Sequence, residues 1–193
     1  MKSTDIYLKL KNTGKNIFKL QDIKTLTGVE KYEYLKIYIN RMIKKGLIKT
    51  IKKGLYYLAD SPPSDFEIAN NLYIPSYISL ETALVYYGII NQVPYTITSV
   101  TLKKANMYKF NAKEYSYSHL SQSLFYPDLQ KNNILIASRE KTIIDTIYLA
   151  SFRGYDINFD EWDLSDIDMV KLKTIASTIE IKAFSNLFYS LFK

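Results

Sequence analysis

Two consecutive prolines, Pro62 and Pro63, divide the chain. They fix two φ angles and remove two amide donors, which neither a helix interior nor a central strand tolerates. They sit in the stretch Ala59-Asp60-Ser61-Pro62-Pro63-Ser64-Asp65, and the charge changes sign at the same place. Residues 1–60 carry 14 Lys and Arg against 5 Asp and Glu; residues 61–193 carry 12 against 14. A basic block ahead of a near-neutral remainder describes a module built for a polyanion with a second module attached. The expected domains are therefore 1–60 and 61–193.

Before the prolines the apolar spacing is helical and the helices are short. A first helix is expected over 4–12, with Ile6, Leu8 and Leu10 partly apolar. Leu20, Ile23 and Leu26 recur every third residue and give one stripe of a second helix, which Gly28 can end in a left-handed turn. A longer helix should run from about Lys31 to Lys45, with Leu35, Ile39, Met42 and Ile43 inward and Gly46 as its stop. Leu47, Ile48 and Ile51 begin a strand, and Lys52-Lys53-Gly54 turns it into Leu55-Tyr56-Tyr57-Leu58. Helix, helix, turn, helix, hairpin is the order of a winged helix-turn-helix.

After the prolines the pattern is mixed α/β, so the expected fold class is α+β, ending in two helices over roughly 164–192. Residues 65–73 and 79–88 read as helices, the second opened by Ser79 as its cap. Tyr95 to Leu102 reads as a strand, 108–111 and 114–118 as a pair around Ala112-Lys113, and Ile134-Leu135-Ile136 as a short buried strand. Ser138 should cap a helix reaching about Ala150. Phe184, Leu187, Phe188 and Leu191 form an apolar stripe on the last helix, fit for docking on the core or for a partner.

A recognition helix enters the major groove, and a wing rides on the adjacent backbone. At about 100° per residue, the outer side of the third helix holds Glu33, Tyr34, Ile37, Asn40, Arg41 and Lys44, flanked by Lys36 and Lys45. Arg41 suits a bidentate contact to guanine and Asn40 one to adenine. Lys36, Lys44 and Lys45 suit phosphates, which position without reading sequence. Ile37 meets a thymine methyl or widens the core contact. Lys52 and Lys53, at the hairpin tip, would reach backbone or minor groove. The expected DNA-binding set is Lys31, Tyr34, Lys36, Asn40, Arg41, Lys44, Lys45, Lys52 and Lys53. The helix start is weakly capped, because Glu30 and Lys31 are poor N-caps. A Lys-rich face can equally be plain solvated surface, or a surface for RNA or an acidic protein.

Several segments resemble one family. MIKKGLIKTIKKGLYYL is similar to the winged-helix domain of the AbiEi abortive-infection antitoxins. IPSYISLETALVYYGIINQVPYTITSVT, YSYSHLSQSLF and ILIASREKTIIDTIYLA follow in the family's order, over roughly residues 15–152. The resemblance implies a bacterial DNA-binding antitoxin of a type IV toxin–antitoxin system, acting in phage defence. It implies repression of its own operon at inverted repeats, and a C-terminal domain opposing a nucleotidyltransferase-like toxin without a stable complex. Some relatives regulate other genes, so a stand-alone regulator is the alternative. The last forty residues match no motif of the family.

Chemistry-bearing motifs are sparse. With no Cys and one His, neither thiolate ligands nor a His pair is available. His119 alternates with Tyr115 and Tyr117 and suits a structural hydrogen bond. Asp156, Asp160, Glu161, Asp163, Asp166 and Asp168 crowd one segment, and Asp156-Ile157-Asn158-Phe159-Asp160 starts like an EF-hand loop. The pattern then fails, with Glu161 where the turn needs Gly and Ile167 where the bidentate Glu belongs. A solvated acidic face that keeps DNA on the wing accounts for it. Glu140, Lys141 and Asp145 could be fragments of a nuclease carboxylate site, but acids in a helix's first turn are favoured by its dipole. No Gly-rich phosphate loop occurs. No cofactor, no metal, no membrane span and no signal peptide are expected; the bacterial cytoplasm is the expected location. A regulator rather than an enzyme follows, the rival being a DNA-delivered nuclease or nucleotidyltransferase.

Overall fold

The computed structural model describes residues 2–92, 94–126, 129–131, 134–154 and 157–192. The chain forms two compact units, Met1–Leu72 and Tyr73–Lys193. The boundary expected after residue 60 thus falls inside the first unit. The prolines do end the hairpin, but the helix that follows them returns to the basic segment.

The first unit runs α1 (Ser3–Lys11), β1 (Ile17–Lys19), α2 (Leu20–Thr27), α3 (Tyr32–Lys44), β2 (Ile48–Lys52), β3 (Leu55–Leu58) and α4 (Asp65–Leu72). Its core is Ile6, Leu10, Phe18, Ile23, Leu35, Ile39, Met42, Ile48 and Leu58. The helical spacing of these residues is what closes three short helices over one sheet. α1 and α2 begin alike: Asp5 and Asp22 reach back to accept from the Lys2 and Lys19 amides at 2.8 and 2.7 Å. Gly28 ends α2 at φ 66°. At the end of α3, the amides of Gly46 and Leu47 donate to the Ile43 and Met42 carbonyls, the paired bonds of a Schellman turn. Ile43 was expected inward, yet it is 37% exposed. Met42 and Ile43 lie 100° apart on the helix, and Met42 takes the core position; half-buried Tyr38 packs beside it.

β1 is the element missing from the expected order. It pairs antiparallel with β3 (Ile17 opposite Tyr57, Lys19 opposite Leu55), which makes a three-stranded sheet of order β1-β3-β2. The sheet needs a register shift in β2 between Thr50 and Lys52. Ile48 and Ile51 are both buried although three apart, which strict alternation forbids and an extra residue permits. α4 lies against β1. It is tied down by the Asn16 side-chain amide donating to Glu67 at 3.4 Å and the Ser61 hydroxyl donating to Asn16 at 2.9 Å.

The second unit contains β4 (Ser76–Ile78), α5 (Leu80–Tyr86), β5 (Thr96–Thr101), β6 (Asn106–Phe110), β7 (Lys113–His119), β8 (Leu129–Lys131), β9 (Ile134–Ile136), α6 (Arg139–Arg153), α7 (Met169–Ser177) and α8 (Lys182–Leu191). A six-stranded mixed sheet runs β6-β7-β5-β4-β9-β8. The β6–β7 hairpin turns at Asn111 and Ala112, both at positive φ, with Phe110 opposite Lys113. α5, α6 and α8 bury their apolar faces with Tyr77 and Val100 of the sheet. Phe184 and Phe188 are fully inside this core, with Leu187 and Leu191 half-buried against it, so the last helix docks on its own unit.

Two caps in this unit differ in kind. Ser138 caps α6 as expected, accepting from the Lys141 amide. Ser79 stands at the start of α5 but does not cap it with its side chain. Its hydroxyl donates to Asp145 instead, at 2.8 Å. Thr98 of β5 supplies the cap, accepting from the Thr82 amide at 3.0 Å, while Thr82 accepts from the Thr98 amide at 2.8 Å.

Candidate nucleic-acid interface

The outer surface of α3 is polar, cationic and studded with exposed apolar groups. Lys31, Tyr34, Lys36, Asn40, Arg41, Lys44 and Lys45 are all exposed. Tyr34 is 56% exposed, Ile37 44% and Tyr32 43%. The Lys36 ammonium lies 4.4 Å from the centre of the Tyr32 ring, its stem along the helix. Among the described residues, Lys31, Arg41, Lys44, Lys45 and Lys53 take part in no salt bridge. Their charge therefore acts outward, as a surface that has to meet a polyanion requires. α3 starts at Lys31 without a side-chain cap, as its sequence implies.

The wing is placed differently from expectation. Lys53 occupies the turn and is exposed. Lys52 is half-buried, and its ammonium donates to the Leu72 carbonyl at the end of α4. The register explains this. Beyond the shift, Lys52 stands opposite Leu55, which is buried, and paired residues share a face. The irregularity in β2 has turned Lys52 toward α4, leaving Lys53 as the cation at the tip. The Lys49 and Thr50 side chains on β2 are exposed as well.

The remaining candidates lie outside α3 and the β2–β3 hairpin. His119 is exposed, its Nδ1 3.1 Å from the Lys103 carbonyl, a structural contact. Asp160, Glu161, Asp163, Asp166 and Asp168 are exposed; Asp156, the first position of the failed EF-hand pattern, lies outside the described residues. Asp168 caps α7, accepting from the Val170 and Lys171 amides. Asp163 accepts from the Ser165 amide, which holds its carboxyl below the usual range. Among the described residues no group of three His, Asp or Glu is arranged to hold a metal ion.

Glu140, Lys141 and Asp145 have a role that the sequence reading missed. Lys141 and Asp145 are fully buried and form an ion pair one turn apart on α6. Asp145 Oδ2 also accepts from the Tyr77 hydroxyl at 2.9 Å and the Ser79 hydroxyl at 2.8 Å. Lys141 donates to the Tyr77 oxygen at 2.8 Å and sits 4.7 Å from the Tyr126 ring centre. Burial pushes the Asp145 carboxyl upward, opposed by Lys141 and by the Ser79 and Tyr77 hydrogen bonds. A carboxylate so enclosed has no surface for a substrate or metal. It joins α6 to β4 and to the start of α5. Glu140 is buried beside α7, 2.9 Å from the Lys171 ammonium. Burial raises its carboxyl, but the Lys171 hydrogen bond and charge outweigh that and leave it below the ordinary range.

The first unit thus combines a strand-tied hairpin, one outward cationic helix and an exposed lysine at the hairpin turn. Residues 5–59 match the family model described as transcriptional regulator, AbiEi antitoxin. The match stops at Ala59, so the segments of the second unit that carried the resemblance lie beyond it. No curated protein matches the chain. No helix among the described residues is long and apolar enough to cross a membrane.

Proposed function

We propose that this protein is a repressor that binds operator DNA through α3 and the β2–β3 wing and serves as the antitoxin of a type IV system, autoregulating its operon in the bacterial cytoplasm. The observation that carries the reading is the outer face of α3: Arg41, Lys44 and Lys45, inside the family-matched segment, are exposed and, among the described residues, in no salt bridge. Lys44, Lys45 and Lys53 neutralise phosphates, and Arg41 and Asn40 read base edges. Ile37 and Tyr34 offer apolar contact to thymine methyls. Occupancy of promoter DNA blocks polymerase. Inverted repeats let two copies bind, one at each half-site. The second unit opposes a nucleotidyltransferase-like toxin without forming a stable complex with it.

The full chain, titrated by fluorescence anisotropy against duplex from its own promoter and against random duplex of equal length, tests this. Tighter binding to the promoter, with affinity falling steeply as salt rises, is the expected result. Equal affinity for both duplexes at every salt concentration overturns the operator reading. An adjoining gene for a nucleotidyltransferase-like protein, toxic alone and harmless with this chain, supports the antitoxin half. The DNA-targeted enzyme is the weaker rival, because Asp145, its best carboxylate, is sealed from solvent.

A further inference from the structure

In the second unit, a half-open cavity of about 410 Å³ lies between α5, α6, the paired strands β5 and β7, and the segment around Trp162. Its size is within the range of small-molecule clefts, roughly 300–1,000 Å³. Leu80, Leu84, Leu149 and the Trp162 ring give it an apolar interior. Trp162 is half-buried and held against Phe159, ring centres 5.3 Å apart.

Besides Gln92, Ser116, Ser118 and Asn158, the polar lining is of two kinds. The hydroxyls of Thr98 and Thr146 are already spent within the protein: Thr98 donates to the Ser79 carbonyl and Thr146 to the Thr142 carbonyl, both at 2.8 Å. The carboxylates of Glu81 and Glu161 are exposed and, among the described residues, take part in no salt bridge. Among the described residues that line the cavity, none is a Lys, Arg or His. An apolar cleft edged by two carboxylates that are in no salt bridge among the described residues disfavours phosphates and carboxylates and attracts a cation that carries its own apolar body.

We propose that this cavity is a binding site for an organic ammonium, an amine whose aromatic or aliphatic part packs on Trp162 and Leu84 while its charge meets Glu81 and Glu161. The ring face of Trp162 adds cation–π attraction for the same charge. The site is built from residues of the second unit alone, and it stands whether or not the DNA-binding reading holds.

Trp162 is the only tryptophan of the chain, so its emission reports on this cavity. The full chain is titrated with 2-phenylethylamine and, in parallel, with 2-phenylethanol and 3-phenylpropanoate, following both Trp162 emission and heat. The amine is expected to saturate, to bind at least about fivefold more tightly than the alcohol, and to lose that advantage in high salt; the carboxylate should not bind. Glu81→Gln with Glu161→Gln, both at exposed positions, should melt like the parent and bring the amine to the level of the alcohol. The proposal is overturned if emission and heat stay flat with the amine, or if heat appears without a response at Trp162. Carboxylate binding as tight as the amine's, or an amine preference that survives in the double variant, overturns it as well.

Discussion

Lys141 and Asp145 stand one helical turn apart on α6 and pair entirely inside the protein, with neither side chain reaching solvent. The Tyr77 and Ser79 hydroxyls donate to Asp145, and the Lys141 ammonium donates to the Tyr77 oxygen. Those two residues bracket Ile78 at the junction of β4 and α5, where Leu80 adopts a φ of 60° that a leucine rarely takes. The ion pair thus fixes a strained junction to the longest helix of the unit.

Breaking it one-sidedly should cost far more than removing it whole. Asp145→Ala leaves a buried ammonium without its counter-charge, a loss of about 3–5 kcal/mol. Lys141→Met with Asp145→Leu removes both charges and should recover most of that loss. Urea denaturation of the full chain measures each. Equal destabilisation by the single and double variants would show that packing, rather than charge, dominates the site.

Glu140 gives the second unit an acid-sensitive contact. Its carboxyl is held below the ordinary range in the folded chain, so the folded state binds its proton less readily than the unfolded state does. Its stabilising effect is therefore present above the ordinary Glu pKa of about 4.3 and is lost as pH falls through the lower folded value. The difference in melting temperature between the parent and Glu140→Gln should be largest near neutrality and shrink below about pH 4. Asp145, whose folded carboxyl is shifted upward, works in the opposite sense, but it is common to both proteins and drops out of the difference. A difference that does not change between pH 7 and pH 3 would rule the contact out as a source of acid sensitivity.

Gly46 sits at φ 66° in the turn that ends α3, and a Cβ built there meets nothing within 4 Å. Gly46→Ala should therefore destabilise through backbone strain alone, by about 1–2 kcal/mol. Thermal melting checks the direction. A neutral result would mean that the turn can relax into another end for α3.

What the sequence made legible is the local periodicity. The spacing of Leu35, Ile39 and Met42 gave α3 and its outward face, and Gly28 and Gly46 marked two helix ends. What escaped depends on partners far along the chain. β1 is three residues long, too short to show a period, and exists because β3 pairs with it. Asp145 looked like an ordinary helical acid because Tyr77 and Ser79 precede it by 68 and 66 positions. Ser79 looked like a cap for the same reason: Asp145 claims its hydroxyl, and Thr98 takes over the capping from another strand. The direction of Lys52 is set by a one-residue irregularity in β2, which composition cannot announce.

That irregularity separates two neighbouring lysines into different jobs, and the separation is measurable. Lys53→Ala should weaken promoter and random duplex about equally and flatten the dependence of affinity on salt by roughly one unit of slope. Lys52→Ala should leave that slope nearly unchanged and instead lower stability, because its ammonium is committed to the Leu72 carbonyl. Arg41→Ala should lose about 1–3 kcal/mol selectively at one base pair of the operator. Anisotropy titrations at several salt concentrations, with single-base operator variants for Arg41, distinguish the three. If Lys52→Ala flattened the slope as much as Lys53→Ala, the wing would present both cations to the phosphates. If Arg41→Ala lowered all duplexes alike, its guanidinium would serve the backbone and the base-reading role would pass to Asn40.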